Sequence, residues 1–324
     1  MKQGQLISIA TACLLGVCRL GYGQEKGPTV QPFLPEIMAQ FPNVRDLTIN
    51  SGEDEVYFTA QSYMGDLSAI ITCSKQKGKW SKPEVASFSG QYQDLEPFLS
   101  ADELRLYFVS NRPKNDQSNA KDYDIWFVER KKVGANWSEP KNLGAPVNTK
   151  EDEFYPSLSN TGNLCFTRDG AGSKGKDDIF YSKWQNGAYT IPVSMSDSIN
   201  TDGYEFNAFL APDESFLMYT CYNRGDGFGS GDLYISFNKG NGIWSRAENL
   251  GAKINDSTMD YCPFVDLKSG ILYFTSKRNA IQKQTGKRRN AADLLKEMNQ
   301  YENGLSRVYR VDVRSVIQQK QRKE

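Results

Sequence analysis

The sequence predicts an all-β fold, a β-propeller of five blades with four antiparallel strands each, six blades being the alternative, closed into a ring by an N-terminal strand. Three observations lead there. A unit recurs along the chain: taking Phe58, Phe108, Phe166, Tyr219 and Phe274 as equivalent gives steps of 50, 58, 53 and 55 residues, a spacing typical of solenoids and propellers. Within each unit, short aromatic and β-branched runs alternate with Gly, Asn, Asp, Ser and Pro, the chemistry of strands and turns. Little of the chain carries the 3.6-residue periodicity of a helix.

The unit is clearest at 94–148. It opens with Asp94-Leu-Glu96-Pro-Phe98, turns at Ser100-Ala-Asp-Glu103 and continues through Leu104-Arg-Leu-Tyr-Phe-Val109 to Ser110-Asn-Arg112. Asp124-Ile-Trp-Phe-Val128, Trp137-Ser-Glu-Pro140 and Asn142-Leu-Gly-Ala-Pro-Val-Asn148 complete it. The second run is apolar almost without interruption, as a strand buried on both faces must be. Blades are expected at about 44–93, 94–150, 151–201, 202–257 and 258–313. The last has no Trp-Ser or Asn-Leu-Gly segment, so the extended stretch Thr29 to Phe33, within an N-terminal segment 24–43, is assigned as its outermost strand. Closure of this kind removes exposed edges, and Pro32 is tolerated only on an edge.

Blade five also carries an insertion, 279–304, where Leu294, Leu295 and Met298 share one face of a short amphipathic helix. It is expected to pack on the rim, with a lid or partner contact as the alternative. The basic tail 314–324 reads as a frayed helix.

Residues 1–23 read as a signal peptide: Lys2, an apolar stretch from Leu6 to Val17, and the small-x-small site Gly21-Tyr-Gly23. The expected location is the periplasm or the exterior, with a lipid anchor through Cys18 as the alternative. No further apolar run is long enough to span a membrane as a helix. After cleavage the chain keeps 37 of its 39 basic residues against 39 acids, a balance without the basic excess of a nucleic-acid binder. There is no histidine, which excludes Ser-His-Asp and Cys-His nucleophile systems and His-ligated metals. Cys73, Cys165, Cys221 and Cys262 read as buried thiols, a Cys221–Cys262 bridge being the alternative.

Because the first two strands of a blade form a hairpin, the start of one lies beside the end of the other. Four acid–arginine pairs follow: Glu96 with Arg112, Glu153 with Arg168, Glu205 with Arg224 and Asp260 with Arg278. Recurrence in four blades favours a structural ion pair. The functional alternative is a charged collar at the mouth of the channel, with Tyr155, Tyr204 and Tyr261, and also Tyr92 and Tyr222, as aromatic neighbours for a sugar or peptide. A paired arginine lowers a carboxyl pKa, whereas a glycosidase general acid needs it raised. No cofactor is expected. The Gly/Asp loops Asp169 to Asp177 and Arg224 to Asp232 offer oxygen ligands for Ca²⁺ as the alternative, but they lack the spacing of a calcium loop.

Taken together, the Glu-x-x-Pro or Glu-Phe opening, the Leu-Tyr-Phe strand, Ser-Asn-Arg, Asp-Ile-Trp, Trp-Ser-x-Pro and Asn-Leu-Gly elements over about 44–313 resemble the WD-repeat-like propellers of the TolB type found in exported proteins of Bacteroidetes-like bacteria. That resemblance implies a noncatalytic module binding an envelope protein or a glycan. The rival expectation is a carbohydrate-active enzyme or lectin using the acid–arginine face.

Overall fold

Five short strands touch one another around a central axis: Asn43–Ile49, Asp94–Leu99, Glu153–Leu158, Glu205–Leu210 and Asp260–Asp266. In this computed structural model, which describes Met1 and residues 28–114, 122–282, 286 and 288–322, each is the innermost strand of an antiparallel sheet. The second strands are Glu55–Gln61, Arg105–Ser110, Leu164–Arg168, Phe216–Tyr222 and Ile271–Ser276. The third are Ser68–Gln76, Asp124–Glu129, Asp178–Ser182, Gly231–Gly240 and Arg307–Asp312. Short outer strands complete four blades at Glu84–Val85, Lys141–Asn142, Val193–Ser194 and Glu248–Asn249.

The fifth blade takes its outer strand from the other end of the chain. Gln31–Pro32 pairs with Arg310 and Tyr309, the Phe33 N–H donates to the Val308 carbonyl at 3.0 Å, and the Phe33 ring stands edge-on to Tyr273 at 4.9 Å. The ring therefore closes non-covalently with five blades. The reference aromatics Phe58, Phe108, Phe166, Tyr219 and Phe274 are at most 1% exposed, packed between blades.

Two repeated motifs have direct structural causes. The asparagine that ends each Asn-Leu-Gly-type segment clamps the third strand of its own blade. Asn148 accepts the Ile125 N–H at 3.0 Å and donates to its carbonyl at 2.8 Å, and Asn200 does the same to Ile179, as Asn255 does to Leu233. A buried outer edge is thereby satisfied without a long fourth strand. The serine of each Trp-Ser pair accepts a third-strand N–H: Ser81 from Ser74, Ser138 from Glu129 and Ser245 from Phe237.

Some expectations change. The four cysteines of the described chain are separate buried thiols, so Cys221 and Cys262 are not bridged. The insertion does contain a helix, Ala291–Met298, with Asn290 accepting the Asp293 N–H at its start, but its apolar face does not pack on the rim. Leu294, Leu295 and Met298 are 41%, 61% and 55% exposed, because the helix stands off the blade. The tail forms a helix, Arg314–Gln321, whose Val316 and Ile317 pack on the core. The signal peptide and Cys18 fall outside the described residues, as do 115–121 in the loop of blade two and Lys287 in the insertion.

Candidate active site at the axial end of the ring

Every inner strand carries a β-bulge near its start, and at each bulge a non-glycine residue adopts the left-handed conformation: Asp46, Glu96, Tyr155, Asn207 and Cys262, with φ between 50 and 58°. Such residues each cost about 1 kcal/mol or more and persist where the surroundings over-determine them. Here they gather side chains from separate blades on the axis.

Arg45 ties them together. Its Nε donates to Asp46 Oδ1 at 2.8 Å and its Nη2 to Glu96 Oε1 at 2.8 Å, with Cys262 Sγ at 3.6 Å. Asn207 Nδ2 lies 3.4 Å from the same Glu96 oxygen, and Cys262 Sγ lies 3.4 Å from Asn207 Oδ1. The second Glu96 oxygen accepts the Tyr155 N–H at 2.7 Å. Asp46 Oδ2 is buried without a hydrogen-bond partner. Arg45 is the member nearest solvent, its guanidinium 5.4 Å over the Tyr261 ring. Half-buried Phe154, Phe206 and Met259 pack against Tyr155, Tyr261 and Cys262 beneath them. Tyr123 stands 5.3 Å from Phe154, and Tyr204 and Tyr222, each 38% exposed, meet at 5.7 Å. The mouth is thus an aromatic rim over a buried Arg–Asp–Glu cluster.

Burial dominates the electrostatics. It pushes the Glu96 carboxyl up to about 8, with Asp46 adding to the rise and Arg45, the Tyr155 N–H and Asn207 opposing it.

The acid–arginine pairs take a different form from that expected. Glu96 does not meet Arg112; Asp94 does, at 2.7 Å. The bulge explains the shift. Pro97, Pro156 and Pro263 are equivalent, so the residue three before each proline, Asp94, Glu153 and Asp260, is the pairing acid, and Glu96 is equivalent to Tyr155 and Cys262. Blade one has Val44 at the acid position and no pair. The other pairs are Glu153–Arg168 at 4.0 Å, Glu205–Arg224 at 3.2 Å and Asp260–Arg278 at 3.5 Å.

These pairs are not a collar at the mouth. The acids are at most 1% exposed, and each accepts a backbone N–H four residues upstream, from Gly90, Thr149, Thr201 and Asp256. They pin each inner strand to the crossing from the preceding blade. Their arginines stack on blade aromatics, as Arg112 does on Phe108 and Arg168 on Phe180. At Glu153 and Asp260 arginine does not hold the carboxyl low: burial outweighs it and raises Glu153 to about 7 and Asp260 to about 6. Of the aromatic candidates, Tyr204 is exposed at the mouth, whereas Tyr155 and Tyr261 are buried below it. In the Gly/Asp loops, Asp178 and Asp232 accept N–H groups of their own loops. Among the described residues no cluster of three or more acids or cysteines is arranged to hold a metal ion.

No protein-family model matches the sequence, and the search of curated proteins found no match. Solved structures are similar in fold. An endo-arabinanase of Bacillus licheniformis aligns at 12% identity over 83% of this chain and 93% of its own, with a TM-score of 0.50. A structure titled as a glycoside hydrolase aligns at 8% identity over 83% and 86%, with a TM-score of 0.53. An endo-arabinase of Bacteroides thetaiotaomicron aligns at 16% identity over 72% and 89%, with a TM-score of 0.48. At these identities the likeness is one of fold. The expectation of a noncatalytic scaffold is corrected all the same. It rested on a likeness to TolB-type propellers, whereas the solved structures found similar in fold include an endo-arabinanase and a glycoside hydrolase.

Proposed function

We propose that this chain is an exported carbohydrate-active enzyme that cleaves glycosidic bonds at the axial mouth, with Glu96 as the proton donor. The observation that carries this reading is the placement of Glu96: one carboxyl among many, held on the axis below an aromatic rim, where burial shifts it toward the protonated form. A general acid needs that state. Asp46, fastened to the same guanidinium, is the second carboxylate such chemistry requires. Phe154, Phe206 and Tyr204 offer flat apolar faces to a sugar ring.

The fold shared with an endo-arabinanase makes arabinan the first substrate to try. Export is supported by the reading of residues 1–23, and no described helix is long and apolar enough to cross a membrane. The test is reducing-end release from arabinan, xylan and pectic oligosaccharides by the protein and by Glu96→Gln. Turnover that falls at least about a hundredfold in the variant, the lower range for losing a general acid, supports the reading. Equal turnover removes Glu96 from the chemistry, and binding without turnover by the unmodified protein contradicts hydrolysis.

A further inference from the structure

We propose a second glycan-binding site on the opposite face of the ring, with Trp184 as its platform. The glycan class of its ligand rests on the reading of the axial mouth, but its geometry is independent of it. Trp184 follows the third strand of blade three, at the end away from the mouth, on a two-residue hairpin arm paired with Ala188–Tyr189.

Trp184 is 40% exposed, yet it is held from three sides. Its backbone N–H donates to Asn163 Oδ1 at 2.9 Å, and the Tyr189 ring stands edge-on to the indole at 4.8 Å. Gly162, at φ +83°, lies so close that an added Cβ would meet the indole Cγ at 3.3 Å. In the equivalent hairpin of blade four Asn238 pairs with Trp244 as Trp184 pairs with Tyr189, so the position of Trp184 carries no indole there. An exposed indole fixed in this way is preorganised at a cost in solvation that packing does not explain.

Trp184 is also a ridge between two clefts. On the side of blade two lies one of about 660 Å³, walled by Tyr107, Phe127, Leu143, Pro146 and Tyr189, with Arg105 at its edge. On the side of blade four lies one of about 690 Å³, lined by Tyr181, Val193, Glu214 and Asn238. Arg105 is anchored by Glu129 at 2.8 Å and lies over the Phe127 ring at 5.5 Å. A flat apolar face flanked by hollows with planar polar groups on their walls suits an extended, neutral oligosaccharide: one ring stacks on the indole and its neighbours descend on either side.

The axial mouth is built from phenylalanine and tyrosine, so tryptophan fluorescence separates the two sites. The experiment titrates the Glu96→Gln protein with arabinohexaose, xylohexaose and decaproline, with and without Trp184→Ala or Trp184→Phe. The expected result is quenching by a hexasaccharide with Trp184 present and, by calorimetry on the variants that lack this indole, an affinity weakened about tenfold by W184A and largely kept by W184F, the scale of one lost aromatic stacking contact. Quenching unchanged in W184A overturns the site. So does decaproline binding where neither hexasaccharide binds, or no response to any of the three. Equal turnover by wild type and E96Q, with W184A still weakening binding, would remove the axial reading and leave this one standing.

Discussion

The Glu96 carboxylate accepts the backbone N–H of Tyr155 at 2.7 Å, across the seam between blades two and three. At three other seams the equivalent bulge N–H ends on a threonine of the preceding blade: Glu96 on Thr59 at 3.0 Å, Asn207 on Thr167 at 3.0 Å and Asp46 on Thr275 at 3.2 Å. Between blades two and three that position is Val109, which has no hydroxyl to offer. Glu96 supplies the missing acceptor. One apolar residue in the repeat therefore helps to orient the carboxyl at the centre of the site.

Val109→Thr should weaken that hold. A hydroxyl there competes for the Tyr155 N–H, and loss of a bond to the charged carboxylate moves the Glu96 pKa above about 8. Titration of the glutamate side-chain carboxyl carbons by NMR checks this. A fall, or no movement, would mean that the Tyr155 N–H does not tune Glu96.

Stability should decrease as the pH rises toward 8. Glu96, Glu153 and Asp260 are raised from ordinary values of 4.5, 4.5 and 3.8 to about 8, 7 and 6. The folded chain therefore holds more protons than the unfolded one between those limits. Where that is so, unfolding free energy falls with increasing pH. The melting temperature is expected to be higher at pH 5.5 than at pH 8.5, and Glu96→Gln should flatten part of the slope. A rising curve across that window would contradict the burial of these acids.

The asparagine clamps should be costly to remove. Asn200→Ala strands the N–H of buried Ile179, whose carbonyl keeps the Met195 N–H at 3.0 Å, at about 1–3 kcal/mol for the unsatisfied group. Urea unfolding measures the loss. A change under about 0.5 kcal/mol, the range of a neutral surface substitution, would show that the outer edge is held by something else.

Two arginines should behave oppositely. Arg112→Met leaves Asp94, fully buried, without its countercharge, a change of about 3–5 kcal/mol. Arg105→Met breaks an exposed pair with Glu129 and should cost about 0–1 kcal/mol. Equal losses by chemical denaturation would refute the assignment of the Asp94 pair as a buried strut.

The ring was legible because burial between blades writes itself as a repeat: Phe58, Phe108, Phe166, Tyr219 and Phe274 recur, and the missing outer strand of the last blade pointed to Thr29 to Phe33. The site was not, because what makes it is departure from the repeat. Arg45, Asp46 and Asn207 carry no motif, and their meeting depends on a bulge in each inner strand that no residue type announces. One signal was available. Aligning Pro97 with Pro156 and Pro263 would have moved Glu96 out of the ion-pair series and marked it as the odd acid. The helix at 291–298 was legible but its exposure was not, because an apolar face says what could be buried, never whether a partner lies within reach.

The most direct test is a crystal structure of Glu96→Gln soaked with an arabino-oligosaccharide. A sugar ring is expected against Phe154 and Phe206, above Arg45, with a glycosidic oxygen within hydrogen-bonding distance of the substituted side chain. Sugar bound on the opposite face alone, with an empty axial mouth at saturating ligand, would contradict it.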